Sequence, residues 1–180
     1  MIYRNPQQRV VVLVDVSNMY HSARNLHNAK INYKKLIEIT VQNRILTRAI
    51  AYVVKSDLVE GESTFFDALN SAGFEVKEKG LQIFESGAMK GDWDLGIAMD
   101  AIRLGHKVDS IVLVSGDGDF VPVVNYLQQA LGCLVEVVAF GKTTNSTLME
   151  IADDFIDLDD SNLSVLMKNK HRSKKSSSKK

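Results

Sequence analysis

Cysteine is almost missing from this 180-residue chain, and so is proline. The single cysteine, Cys133, cannot close an internal disulfide and supplies no zinc constellation by itself. Two prolines and eleven glycines exclude a collagen-like or low-complexity chain. No apolar run approaches the roughly 18 residues that a membrane span needs. The opening MIYRNPQQR lacks the apolar core of a signal peptide. The expectation is a reducing, cytoplasmic setting with no membrane partner. Net charge is absent too, with 22 basic against 22 acidic residues, but the balance hides an asymmetry. From Lys168 onward stand seven basic residues and no acid, which leaves residues 1–167 with 15 basic against 22 acidic, a net of −7. An acidic body binds nucleic acid poorly unless its carboxylates gather where a cation inverts the local field. The placement of the aspartates is therefore the informative question.

What is present is ordinary globular material, 45% apolar and 24% charged, in a length that suits one domain. Residues 9–14 (RVVVLV) form a β-branched run without a polar break, the pattern of a strand covered on both faces. Residues 49–54, 111–114 and 134–140 read similarly, and shorter strands are expected at 74–77, 81–84 and, as a last edge strand, 154–158. Between them, helical periodicity covers 34–45, 64–72, 94–104 and 120–131, with Gly73, Gly105 and Gly132 as stops. This alternation predicts an α/β fold, three layers α/β/α around a mostly parallel central sheet. No internal repeat is visible. The domain is expected to span residues 1–160. Residues 161–180, ending KNKHRSKKSSSKK, are expected to be a basic disordered tail, either a polyanion-binding arm or a solubilising extension.

Ligands of open α/β sheets bind outside the carboxyl ends of the strands. Asp15 ends the first buried run, and Asp117 and Asp119 follow the run 111–114 in SGDGDF. Each also reads as a helix cap or turn former. Together they bring carboxylates from two strands to one edge, where mutual repulsion calls for a divalent cation. A third segment, KGDWD, places Asp92 and Asp94 at a helix start, where the dipole favours acids in any case. Asp100, six residues beyond Asp94, is expected to face another way.

VDVSNMY after the first strand, KGDWD at a helix head and SGDGDFVPVV after a later strand, in that order, resemble the NYN domain. More narrowly they resemble its LabA-like branch within the PIN-like nuclease superfamily, over residues 9–158. The resemblance implies a PIN-like fold with an acidic pocket that holds Mg²⁺ or Mn²⁺ and cleaves RNA. By position it implies Asp15 as the first acidic ligand, with Asn18 as its polar neighbour. The family's Lys-Gly-x-Asp segment falls on Lys90, Gly91 and Asp94 with one extra residue, so Asp92 and Asp94 compete for one place; the apolar register favours Asp94. The Ser-Gly-Asp-x-Asp segment falls on Ser115, Gly116, Asp117 and Asp119 without a gap.

The implied reaction is hydrolysis of an RNA phosphodiester, with single-stranded RNA as partner. Asp15, Asp94, Asp117 and Asp119 would hold the metal, since hard oxygen donors suit Mg²⁺ or Mn²⁺. Asn18 and Ser115 would orient a ligand or water, and Lys90 would contact a phosphate oxygen. A homodimer is a candidate way to build a groove for a long polyanion. The competing class is a catalytically weak or inactive RNA-binding or regulatory module on the same fold. Phosphomonoester hydrolysis by an aspartyl nucleophile fits less well, because its partner acid two residues on is replaced by Ser17. Other residues take plain readings. His21 and His27 are expected to be exposed on a polar helix and His106 to sit in a turn. Cys133 reads as a small core residue, Trp93 as packing against the sheet with base stacking as the alternative, and Met19, Tyr20 and Phe120 as lining or core.

Overall fold

The computed structural model describes residues 4–55, 62–80, 82–83, 89–90 and 92–168. The chain opens with β1 (Arg9–Asp15), α1 (Val16–His27), β2 (Ala29–Ile31), α2 (Tyr33–Val41) and β3 (Ile45–Lys55). It continues through α3 (Glu62–Ser71), β4 (Glu75–Gly80), β5 (Gln82–Ile83), β6 (Met89–Lys90), α4 (Asp94–Gly105) and β7 (Ser110–Val114). A 3-10 turn (Gly118–Phe120) leads into α5 (Val121–Leu131), β8 (Leu134–Ala139), α6 (Ser146–Ile151), β9 (Asp154–Asp157) and β10 (Leu166–Lys168).

The main sheet has six strands in the order β4-β3-β1-β7-β8-β9, and every pairing in it is parallel. β1 lies in the middle, and Val10 to Val14 have no exposed surface. Strands of this kind need apolar residues on both faces because helices cover both. α1, α2 and α3 pack on one side. The chain then crosses back, and α4 and α5 lie against the other, α4 touching both β1 and β7. The three-layer expectation holds. β5 and β6 form a separate antiparallel pair, as do β2 and β10.

Helix ends follow local chemistry. α1 starts where the Asp15 carboxylate accepts from the Asn18 amide, and ends at Asn28 in the left-handed region with φ 47°. α2 starts on an Asn32 cap, but stops at Val41, short of the expected residue 45. Gln42 and Asn43 both have positive φ, 49° and 62°, which terminates the helix and releases Ile45 to open β3.

At the base of the sheet Glu136, fully buried on β8, is ion-paired with Arg44 and Arg4 and accepts from Ser110 Oγ at 2.7 Å. Burial alone would push this carboxyl up, yet the two guanidiniums and the hydroxyl hold it below the usual range. Secondary structure continues past residue 160. A 3-10 turn over Ser161–Leu163 and β10 follow, with β10 paired antiparallel to β2 and Val165 buried. Apolar Val165 and Leu166 find cover against Ile31. Residues 169–180 of the expected tail lie outside the described residues, as do Leu81 and Phe84 of the expected strand 81–84.

Candidate metal centre

Because β1 and β7 are adjacent and parallel, with Val14 opposite Val114, Asp15 and Ser115 leave the sheet side by side. From this point the two strands connect in opposite directions, β1 toward β3 and β7 toward β8. Such a divergence opens a crevice at the carboxyl edge of the sheet. Asp15 is only 8% exposed. One carboxylate oxygen accepts from Asn18 N at 3.0 Å and the other from Ser115 Oγ at 3.3 Å. Asn18 Oδ1 in turn accepts from Gly116 N at 3.1 Å, and Ser115 Oγ accepts from Asp117 N at 3.3 Å. The start of α1 and the segment after β7 are thus tied together by two bonds, Ser115 to Asp15 and Gly116 to Asn18, each backed by a local one.

Asp94 arrives from the other face of the sheet, at the first turn of α4. Asp117 caps the 3-10 turn, accepting from Asp119 N at 3.0 Å. Each of Asp94, Asp117 and Asp119 offers a carboxylate oxygen, and all three oxygens lie within 4.8 Å of one another. Asp15, Asn18, Asp92, Asp94 and Asp117 line a cleft of about 180 Å³, with Ser17, His21 and Trp93 completing its walls. Partial burial first, then the charges of Asp15, Asp117, Asp92 and Asp119, push the Asp94 carboxyl up to about 6. The Asp15 carboxyl is also raised, by burial, against the bonds from Asn18 and Ser115. The N-termini of α1 and α4 and of the turn leading into α5 meet here, and their positive ends partly offset this repulsion.

Gly116 lets the neighbouring loop close on this edge. A Cβ there would stand 3.1 Å from the Thr144 Cα and 2.8 Å from its Oγ1, while Asn145 N donates to Gly116 O at 3.0 Å. A family model for the NYN domain matches residues 9–159, which include all of these carboxylates. The chain belongs to the NYN domain family. It is 32% identical over 102 residues to the low amplitude and bright protein LabA of Synechococcus elongatus, in an alignment that covers 53% of this chain and 54% of that protein. The chain thus spans about half the length of that curated relative. A crystal structure of a protein of unknown function from Vibrio parahaemolyticus RIMD 2210633 is 33% identical, covering 92% of this chain and all of that one, with a TM-score of 0.82. Fold and sequence likeness agree with the LabA-like placement.

Within this NYN domain Asp92 and Asp94, the two candidates for one place, sit differently. The Asp94 carboxylate joins the triad, whereas Asp92 is an exposed residue of the cleft lip. Asp15 lies at the cleft floor but outside the triad. Ser115 was expected to orient a ligand or water. It has no exposed surface and its hydroxyl is spent on Asp15 and Asp117, so it orients the Asp15 carboxylate instead. Lys90 belongs to β6 by its backbone, while its side chain and the whole of Gly91 lie outside the described residues. Asp100 faces elsewhere as expected, buried against Tyr52, Lys77 and Arg103, whose bonds outweigh burial and hold its carboxyl down at about 2.

One reading changes. His27 is partly covered and bonded through Nε2 to Asp159 at 2.7 Å, because the loop after β8 and the turn after β9 reach over α1. His21 is exposed as expected but lines the cleft, a position signalled by its three-residue step from Asn18 on the same helix face. Cys133 is buried, and burial pushes its thiol up to about 11, consistent with a core role. Among the described residues no helix is long and apolar enough to cross a membrane.

Proposed function

We propose that this NYN domain is a metal-dependent ribonuclease that hydrolyses RNA phosphodiester bonds in the carboxylate cleft, with Mg²⁺ or Mn²⁺ as cofactor. The convergence of Asp94, Asp117 and Asp119 carries this reading. All the donors are hard carboxylate oxygens, the chemistry these ions prefer. Asp94, Asp117 and Asp119 would hold such an ion between them, their carboxylate oxygens lying within 4.8 Å of one another. The raised Asp94 carboxyl supports the same fit: after burial, its causes are the neighbouring carboxylate charges, whose repulsion a cation would relieve.

When bound, the ion would supply an activated water and neutralise charge on the phosphodiester. The remaining work falls to the chain. Asp94, Asp117 and Asp119 hold the ion, and Asp15 adds negative potential from the cleft floor, fixed in one orientation by Ser115 and the Asn18 amide. Asn18 anchors Gly116 and so sets where Asp117 emerges. The helix N-termini oppose the carboxylate charge and favour approach of a phosphate. Membership of the NYN family supports RNA as the substrate class.

Purified protein should cut single-stranded RNA when Mn²⁺ is added and stop when the ion is chelated. Asp117→Asn should abolish cutting and the Mn²⁺-induced rise in melting temperature together. Undiminished cleavage by that variant would overturn the assignment. Retained RNA affinity with no cleavage by the unaltered protein would favour a binding or regulatory module on the same fold.

A further inference from the structure

Two cation–aromatic pairs stand beside the cleft, one on α1 and one between β4 and the start of α4. On α1, Ser17 and His21 line the cleft. Helix residues three apart share a face, so Tyr20 extends the bank from Ser17 and Arg24 extends it from His21. Tyr20 is 43% exposed, while Met19 and Ala23 of the same helix are buried in the core. The Tyr20 ring meets that of His21 edge-on at 5.4 Å. The Arg24 guanidinium lies 5.9 Å from the Tyr20 centroid and donates to Tyr20 Oη at 2.9 Å. The phenol is thus held in place by polar neighbours at the surface, an arrangement that core packing does not require.

At the start of α4, Trp93 lines the cleft. Its Nε1 donates to Val53 O at 2.9 Å, and its ring lies 5.4 Å from that of Tyr52. Gly96 leaves room for the indole, since a Cβ there would come within 2.6 Å of the ring. Lys79 Nζ lies 5.8 Å from the Trp93 centroid and donates to Asp92 O at 3.1 Å. Trp93 is thus a partly buried aromatic held at the cleft wall with the exposed Lys79 beside it, while Tyr20 and Arg24 stand exposed on α1, beyond the residues that line the cleft.

We propose that these banks are stacking subsites for unpaired bases, so that single-stranded RNA crosses the cleft with one base against Tyr20–Arg24 and another against Trp93–Lys79. This rests on reading the cleft as an RNA site and adds what selects the strand. Aromatic faces accept any base, and neighbouring cations add backbone attraction and cation–π contact. That combination suits an acidic body, since positive charge is needed only where phosphates flank the carboxylates. A duplex keeps its base faces inside its own stack and offers nothing to either ring.

Trp93 is the chain's one tryptophan, so its emission reports on that bank alone. The test titrates the Asp117→Asn protein with an oligouridylate of about a dozen nucleotides and with a duplex of equal length. The single strand is expected to change Trp93 emission and to bind about tenfold or more tighter than the duplex. Tyr20→Ala, an exposed change, should weaken single-strand binding about fivefold or more, and Tyr20→Phe should restore most of it. Lys79→Ala should reduce the slope of log K against log salt by about 0.7. Equal affinity for duplex, an unaltered affinity in Tyr20→Ala, or binding without a change in Trp93 emission would each overturn the proposal. Hydrolysis is read separately on the unaltered protein with Mn²⁺. Cleavage without the stacking signatures removes the subsites and leaves the nuclease; stacking without cleavage does the reverse.

Discussion

Asp94 bears the strongest electrostatic load in the cleft. Its carboxyl stands at about 6 against a usual 3.8, so protonation is easier in the folded chain than in the unfolded one. The sign follows from linkage: what this group adds to stability is fully present below about pH 4 and is lost as pH rises through 6. After discounting for solvent at this partly open site, the cost at neutral pH is about 1 kcal/mol. Asp94→Asn should therefore raise the melting temperature of metal-free protein at pH 7.5 by about 2–4 °C, and leave it unchanged at pH 4. Thermal melts with and without Mn²⁺ check this, since the same variant should lose most of the ion's stabilising effect. Residue types at the site were legible: VDVSN and SGDGDF announce oxygen donors behind buried strands. The work of Ser115 was not, because its partner Asp15 lies a hundred positions away and only the β1–β7 register brings the two together.

At the scale of elements, the turn after β7 depends on how closely the loop after β8 approaches it. Gly116→Ala would press a methyl group against the Thr144 backbone, which cannot swing aside as a side-chain tip can. The expected cost is about 1–3 kcal/mol of overpacking. A larger effect is expected on Mn²⁺ binding, because Asn145 and Asn18 both fix the backbone of Gly116. Calorimetric titration of Mn²⁺ into the folded variant separates the two. Strands with unbroken β-branched runs were legible, as were helices with an apolar stripe and a glycine stop. The end of α2 was not: its apolar period runs on to Ile45, and the left-handed backbone of Gln42 and Asn43 overrides it. β2 escaped notice because three residues carry too little pattern.

For the molecule as a whole, the domain's closing segment matters more than its composition suggests. Truncation after residue 160 would remove the β10–β2 pairing and uncover Ile31 and the site where Val165 is buried. Full burial of each such side chain contributes about 1.5–3 kcal/mol, so the loss should reach several kcal/mol. Truncation after Lys168 should leave the denaturant midpoint unchanged; a pair of urea melts decides it. The fold class was legible from strand–helix alternation, but the pairing of β10 with β2 was not. The lysine-rich end draws the eye, while the segment before it closes onto a strand more than 130 positions earlier.

The neighbouring placement of β1 and β7 also sets an order of events. Joining them closes a chain of about a hundred residues, a non-local step of the kind that folds slowly. Asp15 reaches Ser115 and Asp117 only after that closure, and Asp94 is carried on the crossing segment between the two strands. A chain still emerging or half-assembled thus has no complete nest to offer. An ion that favours the finished form would act by mass action on it alone, as a latch that engages after the door has shut.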